Sequence, residues 1–253
     1  MWPYPRILAH RGGGLLAPEN TLAAMRCGQS HGFRAVEFDV MLAKDGVPIV
    51  MHDPHLGRTV AGSGKVPDYT AQELGAMDAG SWFGSLYAYE PVPTYRQVFD
   101  FCRSSGIWMN VEIKPAPGFE EATGRTVAEL TRRWLQEIGW HESAGKLLLF
   151  SSFSFDAVMA AKSAAPEIPR GFLVDAIPRD WQDRLQALGA VALHTNQKNL
   201  SQKAAAAVKQ AGYGLFCYTV NDIDRAQELL SWGVDAFCTD RIDVIGPDFD
   251  KRI

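Results

Sequence analysis

The run Ala35-Val-Glu-Phe-Asp-Val40, the turn signal Ala43-Lys-Asp-Gly46 and the return Val47-Pro-Ile-Val-Met-His52 decide how this chain is read. In the first run Val36, Phe38 and Val40 alternate with Glu37 and Asp39, so a strand there sets both carboxylates on one face. The turn and the second apolar run predict a hairpin where a βα unit would continue into a helix. With the turn centred near Asp45, paired residues sum to about ninety, which brings His52 roughly opposite Phe38 and beside Glu37 and Asp39.

Outward from this hairpin, seven more strand-like runs occur at Ile7–His10, Ile107–Ile113, Leu147–Ser151, Gly171–Val174, Val191–His194, Leu215–Thr219 and Ala236–Thr239. Helical patterns separate them, with starts at Thr94 (Gln97 three residues on), Ser154 and Ser201, and stops at Gly106, Gly189, Gly212 and Gly233. With 253 residues, this α/β alternation predicts one (β/α)8 TIM barrel over residues 1–253, a fold that needs about 250. The segment from Pro54 to about Val92 breaks the rhythm. It is rich in Gly, Pro and aromatic residues, has a weak helical stretch near Ala71–Met77, and is expected to be a small insertion on the active face, after the second-strand hairpin.

Composition narrows the function. A formal charge of −4 and a sequence pI near 5.9 give no electrostatic reason to expect nucleic acid or an anionic membrane as partner. No apolar run approaches the ~18 residues of a membrane span, and the first residues lack a signal-peptide pattern, so a cytoplasmic location is expected. Cys27, Cys102, Cys217 and Cys238 form no C-x-x-C pair and read as small core residues.

Polar residues gather at the predicted strand ends, where barrel enzymes place their chemistry. Glu37, Asp39 and Glu112 offer three carboxylates and no thiolate, a set suited to Mg2+ or Ca2+, with Mn2+ as an alternative, rather than zinc. His52, through the hairpin, and His10, on the neighbouring first strand, would flank that cation as an acid–base pair. Arg11 and Lys114 offer a donor fork and a point charge for phosphate oxygens. Other readings stay open at this level: strand-end carboxylates paired to Arg or Lys, His52 satisfied by Asp53, or Lys114 as a Schiff-base lysine. In the insertion, Trp82-Phe83 with Tyr87 and Tyr89 would supply an apolar or cation-binding wall for a substrate head group.

An ordered set of motifs then resembles one family, the glycerophosphodiester phosphodiesterases: His10-Arg-Gly12, Pro18-Glu-Asn-Thr21, Glu37-Phe-Asp39, Lys44-Asp-Gly46, His52-Asp53, Glu112-Ile-Lys114, Tyr218-Thr-Val-Asn221 and Gly233-Val-Asp-Ala-Phe-Cys-Thr-Asp240. The resemblance implies a TIM barrel with an insertion after His52-Asp53. It implies His10 and His52 as acid–base residues, Glu37, Asp39 and Glu112 as ligands of a divalent metal, and Arg11 and Lys114 at the phosphate. Tyr218 stands where the family often has Trp and keeps an aromatic wall at the glycerol pocket. The implied reaction is hydrolysis of a small-molecule glycerophosphodiester to sn-glycerol 3-phosphate and an alcohol. A phosphodiesterase acting on lysophospholipids and a non-catalytic phosphodiester-binding barrel are the alternatives.

Overall fold

Each of the eight predicted runs is a strand, and together they close a parallel barrel. The computed structural model describes residues 2–140 and 143–252. Its strands are β1 (Ile7–Ala9), β2 (Ala35–Leu42), β3 (Pro48–Val50), β4 (Trp108–Ile113), β5 (Leu148–Ser152), β6 (Arg170–Val174), β7 (Ala192–Asn196), β8 (Gly214–Tyr218) and β9 (Ala236–Thr239). All but β3 are barrel staves, each paired in parallel with its neighbours, and the β9–β1 and β1–β2 pairings complete the circle. The helices are α1 (Leu22–Ser30), α2 (Ala71–Gly75), α3 (Tyr95–Ser104), α4 (Glu120–Glu137), α5 (Phe155–Ala164), α6 (Trp181–Leu188), α7 (Gln202–Gln210) and α8 (Ile223–Ser231). Thr94, Ser154 and Ser201 cap α3, α5 and α7 by accepting the N–H three residues on, each cap contributing about 1 kcal/mol. Gly189 closes α6 in the left-handed conformation, φ 56°.

The period of two along each stave divides the core. Outward residues such as Val36, Phe38, Met109 and Val111 pack with the helices. Inward residues Leu8, Ala35, Trp108, Leu149, Phe216 and Ala236 fill the barrel. Trp2 and Tyr4 close its floor, Tyr4 stacking on Trp108 with centroids 5.2 Å apart. The lower half is therefore solid, and only the end at the strand C-termini remains for a site.

β2 outruns β1, with which it shares the single pairing Ala9↔Val36. The free edge above is taken by β3, antiparallel, in the register Val40↔Val50, Met41↔Ile49 and Leu42↔Pro48. Those pairs sum to ninety, as the turn predicts, and the Met51 N–H donates to the Asp39 carbonyl at 3.0 Å, which carries the return up to His52. The segment after it builds a small core of its own, where Leu56, Val60, Val66, Leu74, Ala79 and Val92 pack on Met41, Ile49 and Met51. It is tied to the first turn of α1 by the Ala23 N–H, which donates to Glu90 at 2.8 Å, and to the β1–α1 connection by Tyr87 Oη, which donates to the Leu16 carbonyl at 3.3 Å.

Candidate active site

A cavity of about 230 Å3 opens at the C-terminal end of the barrel and is lined by charge on one side and aromatic rings on the other. β1 ends in His10 and Arg11, β2 contributes Glu37 and Asp39, the β3 return contributes His52, and β4 contributes Asn110, Glu112 and Lys114. Across from them stand Phe153, Phe216 and Tyr218. Of the residues expected from the sequence, the insertion's aromatics Trp82, Phe83, Tyr87 and Tyr89 are absent from this lining. Trp82 Nε1 donates to the Ala79 carbonyl at 2.8 Å, and the Trp82 ring meets Phe83 edge-on at 5.6 Å. Trp82, Phe83 and Tyr87 pack in a row, with Tyr87 bonded to the β1–α1 connection, and Tyr89 is exposed, so the head-group wall expected of Trp82 is not at the cavity.

Glu37, Asp39 and Glu112 each present an oxygen within 4.8 Å of the others, and all three are buried. Burial pushes the Glu37 carboxyl well above its ordinary value, and the charges of Asp39 and Glu112 push it further. Glu112 is raised to about 7 by burial and by Asp39, with Lys114 opposing. Asp39 goes the other way. Burial alone would raise it, but the Lys114 ammonium at 3.3 Å, the Arg11 guanidinium and the Asn20 amide at 2.8 Å hold it ionised. Three buried carboxylates thus face two fixed cations, Arg11 and Lys114. With all three ionised, this all-oxygen donor set carries one negative charge in excess of the two cations, which fits a hard divalent cation and the resistance of Glu37 and Glu112 to ionising without one.

The two histidines are mounted alike. His10 Nδ1 lies 2.6 Å from Asp240, and His52 Nδ1 lies 2.7 Å from Asp53. Burial works against both ionised aspartates, but hydrogen bonds lower each below its ordinary value, from His10 to Asp240 and from Arg58 and His52 to Asp53. An ionised carboxylate only accepts, so each Nδ1 carries a proton and each Nε2 is the nitrogen left for proton transfer. His10 Nε2 is 3.7 Å from Glu37 Oε2. The His52 ring is held below its usual value, chiefly by burial and then by Arg11 and Lys114 against the pull of Asp39.

Backbone strain sets this geometry. Arg11 has φ 50° and Asn20 φ 61°, values few side-chain-bearing residues adopt. The Arg11 N–H donates to Glu37 at 3.2 Å, the Asn20 N–H to the Arg11 carbonyl at 3.0 Å, and the Asn20 side chain holds Asp39. A Cβ on Gly14 would lie 2.2 Å from the Asp240 carbonyl oxygen, so only glycine lets the loop after β1 approach the residue that orients His10.

The model of the glycerophosphoryl diester phosphodiesterase family matches residues 10–244. The chain belongs to that family. It is 31% identical over 239 residues to a glycerophosphodiester phosphodiesterase of Caldanaerobacter subterraneus, covering 92% of this chain and 93% of the relative. It is 30% identical to one of Bacillus subtilis, covering 94% and 84%. Its fold superposes with a TM-score of 0.87, at 38% identity and 97% coverage of both chains, on an Oleispira antarctica phosphodiesterase solved in complex with the product sn-glycerol-3-phosphate. As a member of this family, the protein is a phosphodiesterase.

Five residues that support this phosphodiesterase's site are given no role by the sequence reading of the site. Asp240 and Asp53 orient the histidines, and Asn20 orients Asp39. Arg58 joins the two sides: its Nε donates to Asp53 at 2.5 Å, and its two terminal nitrogens donate to Glu19, each at 2.7 Å. Glu19 in turn accepts from Arg11 at 2.7 Å. Asp240, Asp53, Asn20 and Glu19 lie inside the family motifs, but Arg58 had no signal of its own. His194, grouped by sequence with the polar strand ends, is fully buried inside the barrel, stacked on Phe216 at 4.6 Å, with neither ring nitrogen hydrogen-bonded.

Proposed function

We propose that the protein hydrolyses glycerophosphodiesters to sn-glycerol 3-phosphate and an alcohol, with a divalent cation held by Glu37, Asp39 and Glu112 and protons moved by His10 and His52. The observation that carries this reading is the pair of aspartate-anchored histidines flanking a carboxylate triad within 4.8 Å. When bound, the cation would neutralise the excess charge and polarise the phosphoryl and hydroxyl oxygens.

The remaining work falls to side chains. Arg11, 3.6 Å from Asp39 and hydrogen-bonded to Glu19, lines the cavity and supplies a fixed positive charge towards a phosphoryl oxygen. Lys114 adds a second cation at the same wall, and Tyr218, its hydroxyl fixed on the Val174 carbonyl at 2.9 Å, offers a flat face for the glycerol carbons. His52, kept neutral, takes the proton of the attacking hydroxyl, and His10 protonates the departing alcohol. Each such transfer contributes roughly 10^2 to 10^4 in rate. The substrate's own 2-hydroxyl is the nucleophile this site favours, because a tethered group enjoys an effective molarity up to ~10^5 M or more. The resulting cyclic phosphate is opened by water with the histidine roles exchanged. Free thiols at Cys102, Cys217 and Cys238 suit a reducing compartment, and the cytoplasm is the location this reading carries. Among the described residues no helix is long and apolar enough to cross a membrane.

The test is a screen of glycerophosphodiesters after exhaustive chelation, with Mg2+, Ca2+ or Mn2+ restored in turn. Turnover is expected only with a divalent cation, and full activity of the chelated protein would overturn the metal assignment. With a chiral phosphorothioate, net retention at phosphorus and no turnover of a 2-deoxy substrate are expected. Inversion with hydrolysis of the 2-deoxy compound would replace the cyclic route by direct attack of water.

A further inference from the structure

The active-site cavity does not end at Lys114. A second hollow of about 340 Å3 lies beside it, and Glu112, Lys114 and Phe153 line both. A phosphate held at Lys114 therefore sits at the junction, with one ester arm towards the carboxylate triad and the other free to enter the hollow. Its walls are Pro115, Pro117 and Phe153, whose ring is 45% exposed and braced edge-on by Tyr218 at 5.5 Å.

The polar groups within reach are mostly committed elsewhere. Ser152 donates to the Ile113 carbonyl at 2.5 Å, and Ser154 accepts the Ala157 N–H at 3.1 Å as the cap of α5. Lys114 faces Asp39 and Glu112, and its ammonium also lies over the Phe153 ring, 6.0 Å from the centroid. Glu120, at the start of α4, is the exception. Its carboxylate accepts only the Gly118 N–H, at 3.1 Å, and meets no Lys or Arg among the described residues. The hollow thus presents carbon surface, an aromatic ring that already has the Lys114 ammonium at its inner end, and the Glu120 carboxylate with no ion-pair partner among the described residues.

We propose that this hollow is the subsite for the leaving alcohol and that it selects a short head group carrying an ammonium charge, such as choline or ethanolamine, over an uncharged polyol. The assignment rests on the hydrolytic reading above. An ammonium finds the Phe153 ring and the Glu120 carboxylate together, and in an open site each contact is worth roughly two- to fivefold in binding. A polyol needs several hydrogen-bond partners, and the committed serines offer it few.

The experiment compares kcat/KM for glycerophosphocholine, glycerophosphoethanolamine and glycerophosphoglycerol in the wild-type enzyme with divalent cation, and in Glu120→Gln and Phe153→Leu. The wild type is expected to prefer the two ammonium esters by about tenfold, the product of two such contacts. Each variant is expected to cut the choline-to-glycerol ratio severalfold, and the Glu120→Gln effect is expected to shrink as salt rises. Turnover of all three substrates with equal ratios in wild type and both variants would overturn the subsite and leave the hydrolytic reading standing. Turnover of none of them would overturn both.

Discussion

On the β1–β4 side of the barrel mouth stand His10, Glu37, Asp39, Glu112 and Lys114, with His52 arriving on the β3 return; on the β5–β8 side the inward positions carry Ser151, Gly171, His194 and Phe216. Both sides have the same stave geometry, and both include a histidine. His10 and His52 each have a carboxylate at Nδ1, the first from the loop after β9 and the second from the next residue of its own loop. His194 lies deeper, over a glycine whose Cβ would come within 2.3 Å of its Nε2, and no loop reaches it. The difference teaches that a strand-end position does not make a group reactive here. What counts is whether a loop brings the partner that sets its tautomer and charge. Burial without such a partner drives His194 down to about 3 and keeps it a neutral packing ring.

The most direct way to break this contrast is to delete each ring. His10→Ala and His52→Ala should each lower kcat by about 10^2 or more. The double variant should lose less than the product of the two, because both act on one reaction coordinate. His194→Leu should stay within about threefold of wild type, since packing changes leave the reacting groups in place. Steady-state kinetics on one glycerophosphodiester checks all four proteins, and a near-wild-type His52→Ala would dissolve the distinction.

Arg58 sharpens the comparison, because it alone ties the partner of His52 to the partner of Arg11. Arg58→Ala should reduce kcat about tenfold through misorientation, as loss of an outer orienting group does. Arg58→Lys should recover little, since a point charge does not span two carboxylates as a fork does. A rise in KM with kcat unchanged would mean that Arg58 only orders the insertion.

His194 also predicts a pH effect on stability. Its folded pKa, about 3, lies below the unfolded value near 6.5, so the unfolded chain binds the proton first. The neutral ring's contribution is complete above about pH 6.5 and declines as pH falls towards 3, at up to about 1.4 kcal/mol per pH unit. Thermal unfolding between pH 7 and 4 should therefore steepen more in wild type than in His194→Leu, and equal slopes would show the ring to be protonated or solvated in the folded state.

The smallest effect is expected from Trp82, which does not line the cavity. Trp82→Ala should change the choline-to-glycerol ratio of kcat/KM by less than a factor of about two, in keeping with a site outside the cavity. A larger change would bring the insertion's aromatics back to the substrate.

Much of the molecule could be read without coordinates. The staves are runs buried on both faces, so β-branched and aromatic residues mark them almost to the residue. The turn Ala43–Gly46 sets the hairpin register by its length, which is why His52 could be placed beside β2 from a sum of residue numbers. The carboxylate triad was legible because two of its members are two apart on one strand and the third opens its own Glu-x-Lys stretch. Side-chain pairing across long separations was a different matter. Asp240 reaches His10 across 230 positions and Arg58 reaches Glu19 across 39, distances over which no periodicity carries information. The seat of Trp82 is set by its bond to the Ala79 carbonyl and by Phe83 and Tyr87, contacts that no local pattern announced. Local pattern determines elements and the faces they present, since it follows from backbone geometry; which loop meets which strand end depends on closing the barrel, and only the tertiary structure decided it.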